Sequence, residues 1–252
     1  MTSPGLRLAL CSALLYTLAF NLTFFIQELF LVVPKALTPG LRPTLFHNNH
    51  TWEGDNPLAS LFQGTGALAT IISGAICLLL LRGDRIGSTT LRLFLIWMAF
   101  HGFFQALPQF VIGAFVPGND VGMAMDYFHM SQTAKWIAAA IALVAIVPIA
   151  SRLARHLRGI SQNLFMIATV PALTAIPLIV AFRVPREMLE VLLPPVLVTI
   201  VGLAAIHVAA WRVRGEIVAR EPAPVSIVYP LVAVVALLLV FQLVLRPGIR
   251  FY

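Results

Sequence analysis

Charged residues are scarce in this chain. Of its 252 residues only 11% are Asp, Glu, Lys or Arg, while 60% are hydrophobic; in soluble globular domains about a quarter of the residues are charged. The mean hydropathy is +0.92. These values exclude a soluble globular protein and indicate one polytopic membrane domain that covers residues 1–252.

Cysteine is almost absent, and the motifs of several enzyme classes are missing. Cys11 and Cys77 both lie in apolar surroundings, and we interpret them as small buried hydrophobic side chains. There is no Gly-x-Ser-x-Gly motif and no phosphate-binding glycine loop. The His-Glu-x-x-His pattern of intramembrane zinc proteases is also missing, and six histidines are too few for the histidine boxes of membrane desaturases.

Long apolar runs dominate the chain. At about 20 residues each, a run can cross the ~30 Å hydrocarbon core of a membrane as a helix. Seven such runs cover residues 6–33, 58–81, 91–115, 134–150, 164–182, 189–211 and 227–245. The predicted fold class is an all-α integral membrane protein, a bundle of about seven transmembrane helices. Because Pro171 and Pro177 interrupt the fifth run, six spans plus a re-entrant segment are the alternative.

Basic residues are distributed unevenly between the two sides. Short cytoplasmic loops carry an excess of Lys and Arg, which predicts a cytoplasmic N-terminus, an extracytoplasmic C-terminus and location in a bacterial inner (cytoplasmic) membrane. The inner set is Arg7, Arg82, Arg85, Arg92, Arg152, Arg155, Arg158, Arg212, Arg214 and Arg220, against six basic residues outside. The net charge of +7 predicts contact with membrane lipids and not with nucleic acid.

Potential metal ligands concentrate in the loop at residues 46–56. His47, His50 and Glu53 follow each other at intervals of three, so a helical or tightly turned segment would bring them onto one face. Histidine and carboxylate without thiolate suit zinc, copper or iron. Asp126 and His129 are a second candidate ligand pair, and a carboxylate–imidazole pair is their alternative role. These side chains could instead be solvated.

Polar residues also occur within the spans. A carboxylate inside a span costs ~2.5–3.5 kcal/mol, so Glu28 is predicted to face the bundle interior as a general base. The alternative is a solvated anchor in the headgroup region near Lys35. In the third span Trp97, His101, Gln105 and Gln109 recur every four residues and share one helix face. We predict His101 as catalytic and the two glutamines as pocket lining, with hydrogen bonding between helices as the alternative. Asn21, Gln63 and Asp120 complete the predicted lining.

Most of these polar residues belong to the extracytoplasmic half in the predicted topology. The leading functional hypothesis is a metal-dependent membrane enzyme that acts on a lipid-soluble or membrane-proximal substrate. One alternative is a non-catalytic subunit of a larger membrane complex, with spans five to seven as its interface. The other is a small transporter or channel. Transport is disfavoured because the inner halves of spans four to seven are almost wholly apolar.

Overall fold

The computed structural model describes residues 4–83, 86–213 and 224–252. Within these ranges, seven helical segments are long and apolar enough to cross a membrane. They are Pro4–Ala36, Leu58–Leu80, Thr89–Phe115, Gln132–Ile160, Phe165–Arg183, Met188–Arg212 and Val228–Leu245. The helical bundle is therefore confirmed, while its orientation stays a prediction. Arg85, Arg214 and Arg220, which support that orientation, lie outside the described residues.

Helix α1 (Pro4–Ala36) lies at the centre of the bundle and contacts most of the other spans. Against it pack α2 (Leu58–Leu80), α7 (Val170–Arg183) and α9 (Val228–Leu239), whereas α6 (Gln132–Ile160) and α8 (Met188–Arg212) pack against each other. The π-helical turns Phe165–Thr169 and Val240–Leu245 extend α7 and α9 respectively. The fifth span is thus continuous, although Pro177 lies inside it.

The third span is broken into two helices. Helix α3 (Thr89–Phe104) and α4 (Leu107–Phe115) are separated at Gln105 and Ala106. Pro108 follows at once, and a proline has no N–H to continue the hydrogen-bond pattern of the preceding turn. The short helix α5 (Asp120–Tyr127) then returns the chain toward α2. The break leaves Gln105 and Gln109 beside the irregular part of the span.

A small antiparallel sheet covers one end of the bundle, so the described fold is not purely α-helical. Strands β1 (Arg42–Leu45) and β2 (His50–Glu53) form a hairpin, and β3 (Ile249–Arg250) pairs with the other edge of β1. The predicted histidine loop is therefore partly a β-strand. Side chains alternate along a strand, so His50 is buried whereas Glu53 is exposed.

Two glycines of α2 bring three helices together beneath this sheet. A Cβ atom on Gly66 would lie 2.8 Å from Cγ of Gln27 on α1, and one on Gly64 would lie 2.9 Å from Cβ of Ala124 on α5. Any larger residue would push these helices apart. The close approach holds α1, α2 and α5 around the polar groups described next.

Candidate functional site

Glu28 and His50 form the centre of a buried polar network. Glu28 lies on α1 and His50 at the start of β2, and both side chains are less than a tenth exposed. The distance from Nδ1 of His50 to Oε2 of Glu28 is 2.7 Å. Trp52, on the same face of β2, stacks on the His50 ring with 5.7 Å between ring centroids. Strand β2 thus positions the His50 imidazole against the Glu28 carboxylate.

Lys35 completes this network at the end of α1. Its ammonium group donates to the Leu31 carbonyl at 2.9 Å and to Oε1 of Gln63 at 2.9 Å. The third contact is with Nε2 of His50 at 3.3 Å. An ammonium has three donors and no acceptor, so these contacts satisfy it fully. Oε1 of Gln63 also lies 3.1 Å from Nε2 of His50, so Lys35, Gln63 and Glu28 hold the imidazole ring at both nitrogens.

Asp120 adds a second carboxyl group close to the network. It is the first residue of α5 and is half-buried, and Asn119 caps the helix by accepting from the Val121 N–H at 3.2 Å. Burial and, to a smaller extent, the negative charge of Glu28 raise the pKa of Asp120 to about 6, with His50 and Lys35 opposing them in part. Asp120 therefore exchanges its proton near pH 6.

A cavity of about 330 Å³ reaches Asp120 from within the bundle. Its deeper wall is aromatic and aliphatic, contributed by α1, α3 and α8: Phe20, Phe24, Phe104, Leu197, Val198 and Val201. Its outer end is polar and consists of Gln27, Gln105, Gln109, Asn119 and Asp120. Gln109 donates to Oε1 of Gln27 at 3.1 Å, which joins α4 to α1 at this end. The space is apolar along its length and polar at one end.

The cavity lies next to the lipid-facing surface of the protein. Four of its lining side chains, Ile112, Leu193, Leu197 and Val201, are 42–46% exposed. They belong to α4 and α8, and the outer surface of such helices meets hydrocarbon in a membrane. A molecule dissolved in the bilayer could therefore enter laterally between these helices.

The stripe predicted on the third span divides into two parts. Gln105 and Gln109 line the cavity, whereas Trp97 and His101 are fully buried beneath it. The His101 ring packs edge-on against Tyr16 and Phe20, with centroid distances of 4.4 Å and 5.2 Å. The prediction of His101 as a catalytic residue stays a prediction, and its ring lies behind Phe20, which lines the cavity.

The predicted metal ligands do not converge. His50 and Glu53 lie on opposite faces of β2, and His50 uses both ring nitrogens for contacts within the network. His47, in the hairpin turn, is buried near Arg183. Among the described residues, no group of three or more His, Cys, Asp or Glu side chains could hold a metal ion. The geometry therefore does not support the predicted zinc, copper or iron site.

Other predicted residues lie apart from the cavity. Asp126 forms an ion pair with Lys135, and this contact joins α5 to α6. His129 is exposed and shares an open surface pocket with Asp126. Asn21 is buried and donates to the Thr17 carbonyl of its own helix at 2.8 Å. Gln63, which is predicted as pocket lining, joins the Glu28 network instead: its Oε1 lies 3.1 Å from Nε2 of His50.

Sequence reasoning missed Lys35 and Gln27. Lys35 is one of the six basic residues that the charge distribution predicts outside, yet it is completely buried. The usable signal was its position seven residues after Glu28, which places both on one face of α1. No spacing along α1 points to Gln27, because its partner Gln109 lies on another span.

No known protein family, curated protein or solved structure matches this chain. Its class follows from the fold and the site alone: a polytopic α-helical protein with membrane-length spans and a polar-ended cavity beside its lipid-facing surface. The functional argument therefore depends on the chemistry of the site residues.

Proposed function

We propose that this protein is an intramembrane enzyme that transfers a proton between Asp120 and an amphipathic, lipid-soluble substrate bound in the cavity. One observation carries the proposal. A carboxyl group whose pKa is raised to about 6 stands at the polar end of an otherwise apolar cavity. Titratable groups with such shifted values in a cleft are typical of catalytic sites.

The size and the lining of the cavity support an amphipathic, lipid-soluble substrate. Its volume of about 330 Å³ lies within the usual range for small-molecule sites, ~300–1,000 Å³. The Phe20, Phe104 and Val201 side chains suit a hydrocarbon portion, and the amide groups of Gln105 and Gln109 suit a hydroxyl, carbonyl or ester group. The exposed outer wall favours entry from the bilayer.

The neighbouring network supports the proton step. Protonated Asp120 donates its proton to a substrate carbonyl oxygen and becomes a carboxylate. The carboxylate then takes a proton from the carbon beside that carbonyl, so that the C–H bond breaks, the double bond shifts to give the enol isomer and Asp120 is protonated again. Lys35 attracts the resulting negative charge, while Glu28 repels it. Lys35 and Glu28 carry opposite charges and both contact His50. The network therefore shifts the pKa of Asp120 while its own polar groups remain hydrogen-bonded.

The rival functions have less support. Phe104, which lines the cavity, stacks on Phe100, and Phe100 packs with Tyr16 and Trp97 in a fully buried aromatic cluster. This cluster disfavours a transport path. A metal-dependent reaction has no converging ligand set among the described residues. The exposed apolar faces of α6, α8 and α9 suit membrane lipids as partners, so we propose lipid contact for them and not subunit assembly. We place the protein in a bacterial inner membrane with the cavity in its outer half.

The test uses purified protein reconstituted with a lipid extract of its own host membrane. The wild type should convert one membrane component into an isomer, which liquid chromatography coupled to untargeted mass spectrometry separates and detects. Asp120→Asn should lose this activity at least a hundredfold, because general acid–base catalysis contributes ~10²–10⁴. Asp55→Asn, at an exposed loop position, should retain it. Equal turnover by Asp120→Asn and the wild type would contradict the proposal.

A further inference from the structure

A cluster of positive charge surrounds the hairpin turn at the same end of the bundle. Arg183 ends α7, Arg186 follows it, and Arg246 comes directly after the last span. Phe182 and Leu245, the residues before Arg183 and Arg246, pack with Leu45 of β1 in one apolar cluster. The charges of all three arginines act on the His47 ring. In the described part of the chain only Arg186 of this group forms an ion pair, with Nε at 2.6 Å from Oε2 of Glu190.

The backbone and side chains of this cluster are held in place. The Arg183 guanidinium donates to the Glu190 carbonyl at 3.0 Å and lies 4.5 Å from the centroid of the Phe24 ring. Arg186 donates to the Asn48 carbonyl at 2.9 Å. The Asn48 amide in turn donates to the Arg183 carbonyl at 2.5 Å. The hairpin turn is thus fastened to α7 and α8 in a fixed geometry.

Buried nitrogen atoms in this cluster lack a well-formed hydrogen bond to the described residues. His47 is 6% exposed and Arg183 is 4% exposed. Neither ring nitrogen of His47, which lies beside the Arg183 backbone, nor Nε of Arg183 makes such a bond. Native proteins pair nearly all buried polar atoms, so the Nε–H of Arg183 and the N–H of the His47 ring indicate a missing acceptor.

We propose that His47, Arg183 and Arg246 form a binding site for a phosphate-type oxyanion. A tetrahedral oxyanion supplies several strong acceptors and matches the fork of an arginine. The cluster lies at the end of the spans, at the depth of lipid headgroups, so the oxyanion belongs either to an anionic phospholipid or to free phosphate. This site uses residues outside the Asp120 cavity and stands independently of the proposed enzyme activity.

The experiment measures binding of two probes to the full-length protein in a zwitterionic detergent. Phosphatidylglycerol is counted by native mass spectrometry with phosphatidylcholine as the reference lipid, and inorganic phosphate is titrated by thermal shift. His47→Phe and Arg246→Gln test the site. Arg250→Gln, an equally exposed arginine on β3, is the matched control. His47→Phe removes buried nitrogens that make no well-formed hydrogen bond to the described residues, and Arg246 is exposed, so neither variant should lower the melting temperature.

Both test variants should bind about tenfold more weakly, as expected for loss of one charged hydrogen bond. Arg250→Gln should bind like the wild type. Selective loss of phosphatidylglycerol identifies a lipid headgroup as the source, and loss of phosphate-induced stabilisation identifies a soluble oxyanion. If neither probe binds, or if all three variants change binding equally, the proposal is wrong.

Discussion

Replacement of Asp120 by Asn should stabilise the protein at alkaline pH. In the native state the pKa of Asp120 is raised from 3.8 to about 6, first by burial and then by Glu28. A raised value means that the folded protein binds the proton more tightly than the unfolded chain does. Wild-type stability therefore falls as the pH rises from about 4 to about 6 and stays lowered above that range.

The size of the effect follows from the same shift. A difference of ~2 pH units corresponds to ~3 kcal/mol at most. Because Asp120 is only half-buried, solvent screening reduces this penalty. The variant also loses ~0.3–1 kcal/mol from a favourable negative charge at the start of a helix. The expected gain in the free energy of unfolding is therefore ~1–2 kcal/mol at pH 8.

Thermal unfolding of purified protein in detergent measures this gain. For a chain of 150–250 residues, ~1 kcal/mol corresponds to ~2–4 °C, so the midpoint at pH 8 should rise by ~2–8 °C. The gain should shrink at pH 4, where wild-type Asp120 holds its proton. Asp55→Asn, at an exposed position, should change neither value. Destabilisation by Asp120→Asn at pH 8, or an equal gain at both pH values, would refute the reasoning.

Three further predictions concern other parts of the molecule. With single cysteines at Asp55 and Gly83, an impermeant maleimide added to intact cells should label only Asp55, and reversed labelling would invert the orientation. His101→Phe should leave the unfolding midpoint unchanged or raise it, since neither ring nitrogen has a partner among the described residues; a loss above ~1 kcal/mol would contradict this. Glu28→Gln should destabilise by ~3 kcal/mol because it removes the carboxylate whose charge faces the buried Lys35 ammonium, whereas Glu53→Gln, at an exposed position, should be neutral in the same melting assay.

The spans were predictable because long apolar runs identify membrane-length helices. The extent of α6 was not: its apolar run ends at residue 150, but the helix continues to Ile160. In that extension Leu153 and Leu157 recur on one buried face between arginines. Averaged hydropathy misses such an amphipathic turn, whereas helical periodicity reveals it.

The sheet was not predictable from local pattern. Its strands are four residues or shorter, and β1 pairs with β3 from the far end of the chain. No alternation of polar and apolar residues is long enough to indicate such strands. The assumed helical spacing of His47, His50 and Glu53 failed for the same reason, because a strand sends His50 and Glu53 to opposite faces.

The site itself was predictable in part. Glu28 was expected to face the interior because a lone carboxylate in lipid is costly, and it is buried beside His50. Gln105 and Asp120 were expected in the outer half, and both line the cavity. The wall that α8 contributes carries only Leu, Pro and Val there, so nothing in the sequence distinguishes it from an ordinary lipid-facing helix.

Labelling with dicyclohexylcarbodiimide tests the central claim most directly. This lipid-soluble reagent reacts with protonated carboxyl groups that it reaches from the bilayer, and mass spectrometry of peptides locates the adduct. The account predicts modification at Asp120, stronger at pH 5 than at pH 8, because its pKa is raised to about 6. Glu28, which is bonded to His50, should remain unmodified. No adduct at Asp120, or equal modification of Asp120 and the exposed Asp55, would contradict a lipid-accessible cavity that ends at this carboxyl group.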